Sequence, residues 1–269
     1  PKMANGEEVW AQGWSEPNAG SDMAAIRSTA KLEGDKYIIN GQKTWSTRAV
    51  WADWCFGMFR TDPDSERHRG LTFILVPLDS PGITVRPIPQ LDGLPGFAEI
   101  FFDNVEVSVD NRLGDEGAGL PLIERIVDEA TVAVCAESCG VTAKLHQGTL
   151  EYARQRNQFG QPISRFQVLQ HRMVDMFMEV EQSKSMTTMA TLKLDLPAAE
   201  RMAAVSACKA KVSRSAKFVG QSAIQTHGGI GITQELAIGH FFKRATMIEN
   251  QFGSADHHYE RFERLTLAD

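Results

Sequence analysis

A chain of 269 residues is long enough to bury one large core or two ordinary ones. Its net charge of −6, with acidic and basic residues interspersed, leaves no basic stripe to follow a phosphate backbone and argues against nucleic-acid binding. No apolar run approaches the roughly 18 residues of a membrane span, and the opening Pro1-Lys-Met-Ala-Asn-Gly-Glu-Glu has no signal-peptide core, so the expectation is a soluble, cytoplasmic protein.

The first segment with chemical content is Trp10-Ala-Gln-Gly-Trp-Ser15-Glu-Pro-Asn-Ala-Gly20-Ser-Asp22, soon after a start that lacks an initiator methionine, which implies an upstream segment removed or left out. From about Trp10 to Leu113 the texture is strand-like, with β-branched and aromatic runs broken by turn residues. Lys36–Asn40 reads as a strand flanked on both sides by hairpin chemistry, Glu33-Gly-Asp35 before it and Asn40-Gly41 after it. Trp54–Phe59, Leu71–Val76, Ile83–Val85 and Glu99–Phe102 follow as short strands, with Pro63, His68 and Arg69 in a solvated insertion. Closely spaced strands of this kind predict an antiparallel β-barrel or sandwich.

After Gly114–Gly119 the spacing becomes helical. Ile123, Ile126 and Val127 open a helix that runs to about Arg156, and Leu169, Met173, Met176, Phe177 and Val180 mark a second. Pro197 stands where a third would begin, with Val205, Cys208 and Val212 on its apolar face. A last helical region follows Gly228-Gly-Ile-Gly231, from about Gln234 onward. The expectation is an α+β protein: a β-barrel or sandwich domain over 1–116 and an antiparallel four-helix bundle over 117–269. The four cysteines, Cys55, Cys135, Cys139 and Cys208, have neither metal-ligand rhythm nor scaffold density, which fits a reducing compartment and no metal site.

Trp10–Asp22 and Asn40-Gly-Gln-Lys-Thr-Trp45-Ser-Thr47 place small residues, hydroxyls and tryptophans where a flat aromatic cofactor could be stacked and bonded along its edge. Ser15-Glu-Pro-Asn-Ala-Gly-Ser-Asp22 resembles the flavin-edge signature of the acyl-CoA dehydrogenase family, with serine for the usual threonine, and Asn40–Thr47 resembles that family's strand motif. The resemblance implies that Gln12, Trp14 and Ser15 touch the flavin of FAD and Ser21 the substrate thioester. It implies that Trp45 covers one flavin face and that the Thr47 hydroxyl bonds the hydride-accepting nitrogen. In the helical half, Arg154-Gln-Arg156-Asn-Gln158-Phe159-Gly with Phe166-Gln167, and Gln225-Thr-His-Gly228-Gly229-Ile-Gly231, resemble the segments that meet the FAD of a neighbouring subunit. Arg156, Gln158, Phe159, Gln167, Gln225, Gly228 and Gly229 are thereby implied cofactor contacts, with a homo- or hetero-tetramer as the assembly.

The reaction implied is α,β-desaturation of an acyl-CoA, with electrons passed to an electron-transfer flavoprotein. It requires a partly desolvated carboxylate as base. Alignment with the family puts Gly253 where most members carry that glutamate, and Ala255 and His257 where flavin contacts are usual. Some members place the base on the first bundle helix, at the position of Ala130; Glu129 is the adjacent candidate base and Asp128 a candidate substrate contact, with His257 and His258 as alternative proton acceptors. The N-terminal helical domain of the family is not matched. Alternatives to a complete dehydrogenase are a subunit of a mixed assembly that supplies no base, a flavin oxidase or monooxygenase, and a non-catalytic oligomerisation module.

Overall fold

The computed structural model describes residues 1–65 and 67–267. The chain divides into two compact units, Pro1–Glu124 and Arg125–Asp269. In the first, a short helix α1 (Lys2–Asn5) precedes β1 (Trp10–Gly13), β2 (Thr29–Glu33), β3 (Lys36–Thr47), β4 (Trp54–Arg60), β5 (Leu71–Pro77), β6 (Ile83–Ile88), β7 (Phe97–Ser108) and β8 (Arg112–Leu113).

These strands form one open sheet in the order β6-β7-β3-β2-β4-β5-β8, with β1 beside β4. Among the described residues no barrel closes, and the pairing is not wholly antiparallel: β1 runs parallel to β4 from Trp10↔Trp54 to Gly13↔Gly57, and β2 meets β4 in parallel at Thr29↔Arg60. Each outer strand is a poor partner for the other. Strand β6 carries Pro87, which has no N–H to offer, and β8 is two residues long. Alternate residues face a core made of Tyr37, Ile39, Cys55, Phe59, Ile74, Ile100 and Phe102. Full burial of aliphatic side chains such as Ile39, Ile74 and Ile100 contributes roughly 1.5–3 kcal/mol each.

The Gly34-Asp35 hairpin forms as expected, with Glu33 paired to Lys36. Asn40-Gly41 does not turn. Strand β3 continues through it to Thr47, and the register against β7 shifts between Ile39 and Gly41 and again between Lys43 and Ser46. Two features absorb the first bulge. Asn40 Oδ1 accepts from the Asn104 amide at 2.8 Å, and Gly41 takes φ +140 where a Cβ would collide with Ser28. The expected solvated insertion is a loop held from below by Arg60, whose guanidinium donates to the carbonyls of Ala24, Ile26, Ser65, Arg67 and Arg69.

The division between units falls inside α2 (Gly119–Gln155). A two-strand hairpin of β9 (Asn157–Gln158) and β10 (Gln161–Pro162) follows, then α3 (Gln167–Leu192), α4 (Ala198–His227), α5 (Ala237–Asn250) and α6 (Ala255–Thr266). Val132, Cys135, Ala190, Val205, Cys208 and Val212 bury one layer of this unit, and Leu145, Met176, Val180, Val219, Ala223 and Ile238 another. Pro197 is the N-cap of α4, as its fixed φ favours. Phe177, expected on the inward face of α3, is half exposed instead. The last expected helix is two. Phe252 at φ +57 and Gly253 at φ +106 cannot continue α5, and the Ser254 side chain caps α6 by accepting from the His257 amide.

Replacing Gly41 by Ala is expected to lower the stability of the sheet unit by about 1–3 kcal/mol, because the conformation is strained for any side chain and Ser28 occupies the space. Denaturant unfolding of the variant against the parent chain measures it.

Candidate cofactor site

The two motifs of the sheet unit meet side by side. The Ser15 carbonyl accepts a hydrogen bond from the Thr44 amide at 2.9 Å. One residue further on each side, Lys43 Nζ donates to Glu16 Oε1 at 2.8 Å and to the Met58 carbonyl at 2.6 Å, 5.0 Å from the centroid of the Phe59 ring. Glu16 also accepts from the amides of Arg27, at 2.7 Å, and Ser28, at 3.0 Å. Lys43 is fully buried and Glu16 nearly so. Burial pushes the Lys43 ammonium below its ordinary pKa, with Glu16 pulling the other way. Burial also works against the Glu16 charge, but Lys43 and the two amides outweigh it and hold the carboxyl below the usual carboxylate value. Beside them the Cys55 thiol is pushed up to about 12 by burial, so it stays protonated and inert.

Lys43, Thr44 and Ser46 are buried, and the bulge between Lys43 and Ser46 leaves Trp45 and Thr47 exposed. Trp45 sits in the second β3 bulge at φ +56, a conformation rare for a bulky residue, with its ring 59% exposed and edge-on to Phe97 at 6.0 Å. Thr47, two residues on, is exposed, as is Gln12 on β1. Trp14 packs edge-on to Phe56, and its Nε1–H is buried with no partner among the described residues. A strained, exposed indole and an orphaned indole donor fit a planar ring with acceptors along its rim, which is what a flavin is. Ser21 is exposed on the loop after β1, next to an Asp22–Arg67 ion pair of 3.0 Å.

The helical unit gathers its own motif residues. Arg156, Gln158, Phe159 and Gln167 are all exposed around the β9–β10 hairpin. Phe159 stands at its tip at φ +53, followed by Gly160 at φ +79, with its ring 91% exposed and edge-on to Phe166. Gln225, Gly228 and Gly229 are exposed where α4 ends, Gly228 taking φ +65. The two segments are tied together by Tyr152, which stacks on His227 at 4.4 Å and donates its hydroxyl to the His227 carbonyl at 3.3 Å. His227 itself is buried and donates from Nδ1 to the Ala223 carbonyl, a structural role; burial lowers its pKa.

The candidate bases come out differently. Asp128, expected against substrate, is fully buried: Oδ2 accepts from Arg201 Nε at 3.0 Å and Oδ1 from Arg261 Nη2 at 2.8 Å. Both oxygens are engaged in holding α2, α4 and α6, so this carboxylate is a structural ion pair rather than a ligand contact. Glu129 points the other way, exposed and accepting from Arg125, which also reaches Asp195. At Gly253, φ +106, a side chain would be strained and crowded, since a Cβ there would lie 2.6 Å from His257 Cδ2 and 3.1 Å from His258 Nε2. His258 is buried and donates from Nε2 to the Phe252 carbonyl, which leaves its Nδ1 lone pair without a donor. Burial lowers its pKa to about 4, aided by His257, Lys209 and Arg261, so it is neutral and sealed rather than a proton acceptor.

Sequence reasoning missed Glu16–Lys43 and the buried Lys209. The Lys209 ammonium donates to Ser213 and to the carbonyls of Ile248, Glu249 and Gly253, all within 2.9–3.1 Å, and so closes the end of α5. A lysine inside an otherwise inward-facing set was the available signal in both places.

Comparison with known proteins bears on both units. The description "Acyl-CoA dehydrogenase, middle domain" matches residues 11–105, and "Acyl-CoA dehydrogenase, C-terminal domain" matches residues 117–264. The chain is 47% identical over 119 residues to "Acyl-CoA dehydrogenase IpdE1" of Mycobacterium tuberculosis, covering 44% of this chain and 31% of that protein. It is 32% identical over 270 residues to "Probable acyl-CoA dehydrogenase YngJ" of Bacillus subtilis, covering 99% of this chain and 69% of that protein. Among solved structures, a glutaryl-coenzyme A dehydrogenase in complex with glutaryl-CoA superposes with a TM-score of 0.84 at 27% identity, over 100% of this chain and 68% of that one. The matched parts of the chain thus cover between 31 and 69% of the length of these relatives. No described helix is long and apolar enough to cross a membrane.

The His258 environment makes a pH prediction. An unfolded histidine takes up its proton near pH 6.5, whereas folded His258 resists until about pH 4, so the unfolded state binds more protons between those values. Stability is full above about pH 6.5 and falls as pH drops toward 4, by on the order of 3 kcal/mol from this group. Urea unfolding at pH 7 and pH 5 should show a smaller loss in His258→Asn than in the parent chain.

Proposed function

Because the chain belongs to the acyl-CoA dehydrogenase family, whose members are FAD flavoproteins, we propose that it serves an FAD-dependent oxidoreductase that desaturates an acyl-CoA thioester between Cα and Cβ. Electrons pass on to an electron-transfer flavoprotein. The observation that supports this reading most is the Ser15 carbonyl to Thr44 amide bond, which sets the two flavin motifs next to each other, with Trp45 and Thr47 exposed and Trp14 and Ser15 half-buried beside them. FAD, when bound, supplies the acceptor for a hydride. Gln12, Trp14 and Ser15 bond or cover its edge, Trp45 offers a face and Thr47 a hydroxyl donor, while Ser21 lies toward the thioester. Arg156, Gln158, Phe159, Gln167, Gln225, Gly228 and Gly229 reach the nucleotide of an adjoining copy, the planar Arg156 cation suiting a pyrophosphate. The sheet unit then holds flavin and substrate, the helical unit completes the cofactor site, and a homo- or hetero-tetramer is the working form.

The proton step is the part with least provision. Glu129 is the candidate base of this chain, exposed, paired with Arg125 and one residue from the position used by some relatives. A specific observation favours a second reading, in which a different subunit brings the base: Gly253 has no side chain, and at its φ of +106 one would be strained and crowded by His257 and His258.

Anaerobic addition of a panel of acyl-CoAs to the FAD-loaded protein separates the readings. Bleaching of the flavin that falls by about two orders of magnitude or more in Glu129→Gln assigns the base. Bleaching that is unchanged in that variant acquits Glu129, and an oxidised flavin with every acyl-CoA points to the partner-supplied base. A protein that takes up no flavin would rule out the dehydrogenase reading.

A further inference from the structure

We propose that Glu16 and Lys43 are a positioning pair that sets where the flavin-edge loop sits relative to Trp45, an inference that rests on the FAD reading above. The two residues belong one to each motif, and each is the immediate chain neighbour of the Ser15–Thr44 backbone bond. Four consecutive contacts therefore lock one short stretch: Ser15 O to Thr44 N, Glu16 Oε1 to Lys43 Nζ, and the Glu16 carboxylate to the amides of Arg27 and Ser28. Glu16 also closes the loop on itself, exchanging backbone hydrogen bonds with Ala19 at 2.8 and 3.0 Å.

A role in stability alone is a poor account of this pair. Taking an ammonium and a carboxylate out of water opposes much of what their attraction contributes, and well-packed apolar residues of the same volume commonly hold a core as firmly. What apolar residues lack is direction. They tolerate a slide of the loop along β3, whereas an ammonium that must meet Glu16 Oε1, the Met58 carbonyl and the Phe59 ring has one place to be. In a regular strand Lys43, Trp45 and Thr47 would share a face; the bulge between Lys43 and Ser46 reverses this, so fixing Lys43 inward fixes the point from which Trp45 and Thr47 are turned out, and fixing Glu16 fixes the loop that carries the half-buried Trp14 and Ser15. Neither charge touches the cofactor face; both act through their neighbours.

The test compares the parent chain with Glu16→Gln/Lys43→Met, which removes both charges and keeps the shape, and with Glu16→Asp, which keeps both charges and withdraws one by a methylene. FAD affinity, the visible circular dichroism of bound flavin and amide exchange at Arg27, Ser28 and Thr44 are measured together with unfolding stability. The expected result is that FAD binds about tenfold or more weaker in both variants, with an altered flavin signal and faster exchange at those amides. The double variant should meanwhile unfold close to the parent chain. Parent-like FAD affinity, flavin signal and exchange in the double variant would overturn the proposal. If that variant does not fold, the same readouts in Glu16→Asp decide it. If the parent chain itself binds no FAD, the cofactor reading fails separately, and the pair is judged on exchange alone: accelerated exchange at unchanged global stability supports it, and parent-like exchange overturns it.

Discussion

A fully buried ammonium has to be answered by fixed acceptors, and in the sheet unit, where Glu16 is one of them, that requirement shapes everything near the candidate site. Lys43 lies in the bulged half of β3, where Glu16, the Met58 carbonyl and the Phe59 face surround it. Meeting it draws the loop after β1 onto β3, and the same loop is pinned to the start of β2 through Arg27 and Ser28. Gly13 is part of the same economy of space, since a Cβ there would lie 2.5 Å from Cys55 Sγ and 3.5 Å from the Lys43 chain. The exposed tryptophan and hydroxyl are consequences of an interior that leaves no freedom to the strand.

The helical unit also buries charge in two places. Asp128 unites α2, α4 and α6 through two arginines, and Lys209 gathers the last carbonyls of α5 with that of Gly253. The Asp128 ion pairs are costly to break from one side, because the partner is left charged in a dry setting, and the Lys209 ammonium would be costly to strip of its carbonyl acceptors. They leave the outward surfaces of α2, the β9–β10 hairpin and the end of α4 free to carry Glu129, Arg156, Phe159, Gln225 and Gly228.

Much of this was legible in the residues. Helix starts and stops followed from apolar spacing, from Pro197 and from glycines such as Gly228, because those signals act locally. The motif residues of both halves could be picked out in order, and the outward placement of Trp45, Thr47, Phe159 and Gln225 is compatible with the roles they imply. Failures came where a distant partner decided the outcome. Asn40-Gly41 has the chemistry of a turn, yet Asn104 and Ser28 hold it in a bulged strand. The last helix breaks at Phe252 although its composition is helical, and Asp128, one residue from the candidate base, is consumed by arginines 73 and 133 positions away. The parallel placement of β1 against β4 is likewise encoded by no local pattern.

The edges of that open sheet carry a consequence for the life of the molecule in a crowded solution. A strand rim that is long, flat and fully equipped with donors invites another chain to add itself, and repeated addition is how fibrils grow. Here one rim is interrupted by Pro87 beside the charged Arg86, and the other ends after Arg112 and Leu113. A molecule built this way can be concentrated without offering its neighbours a template, so association is left to side-chain surfaces that can be selected for a particular partner.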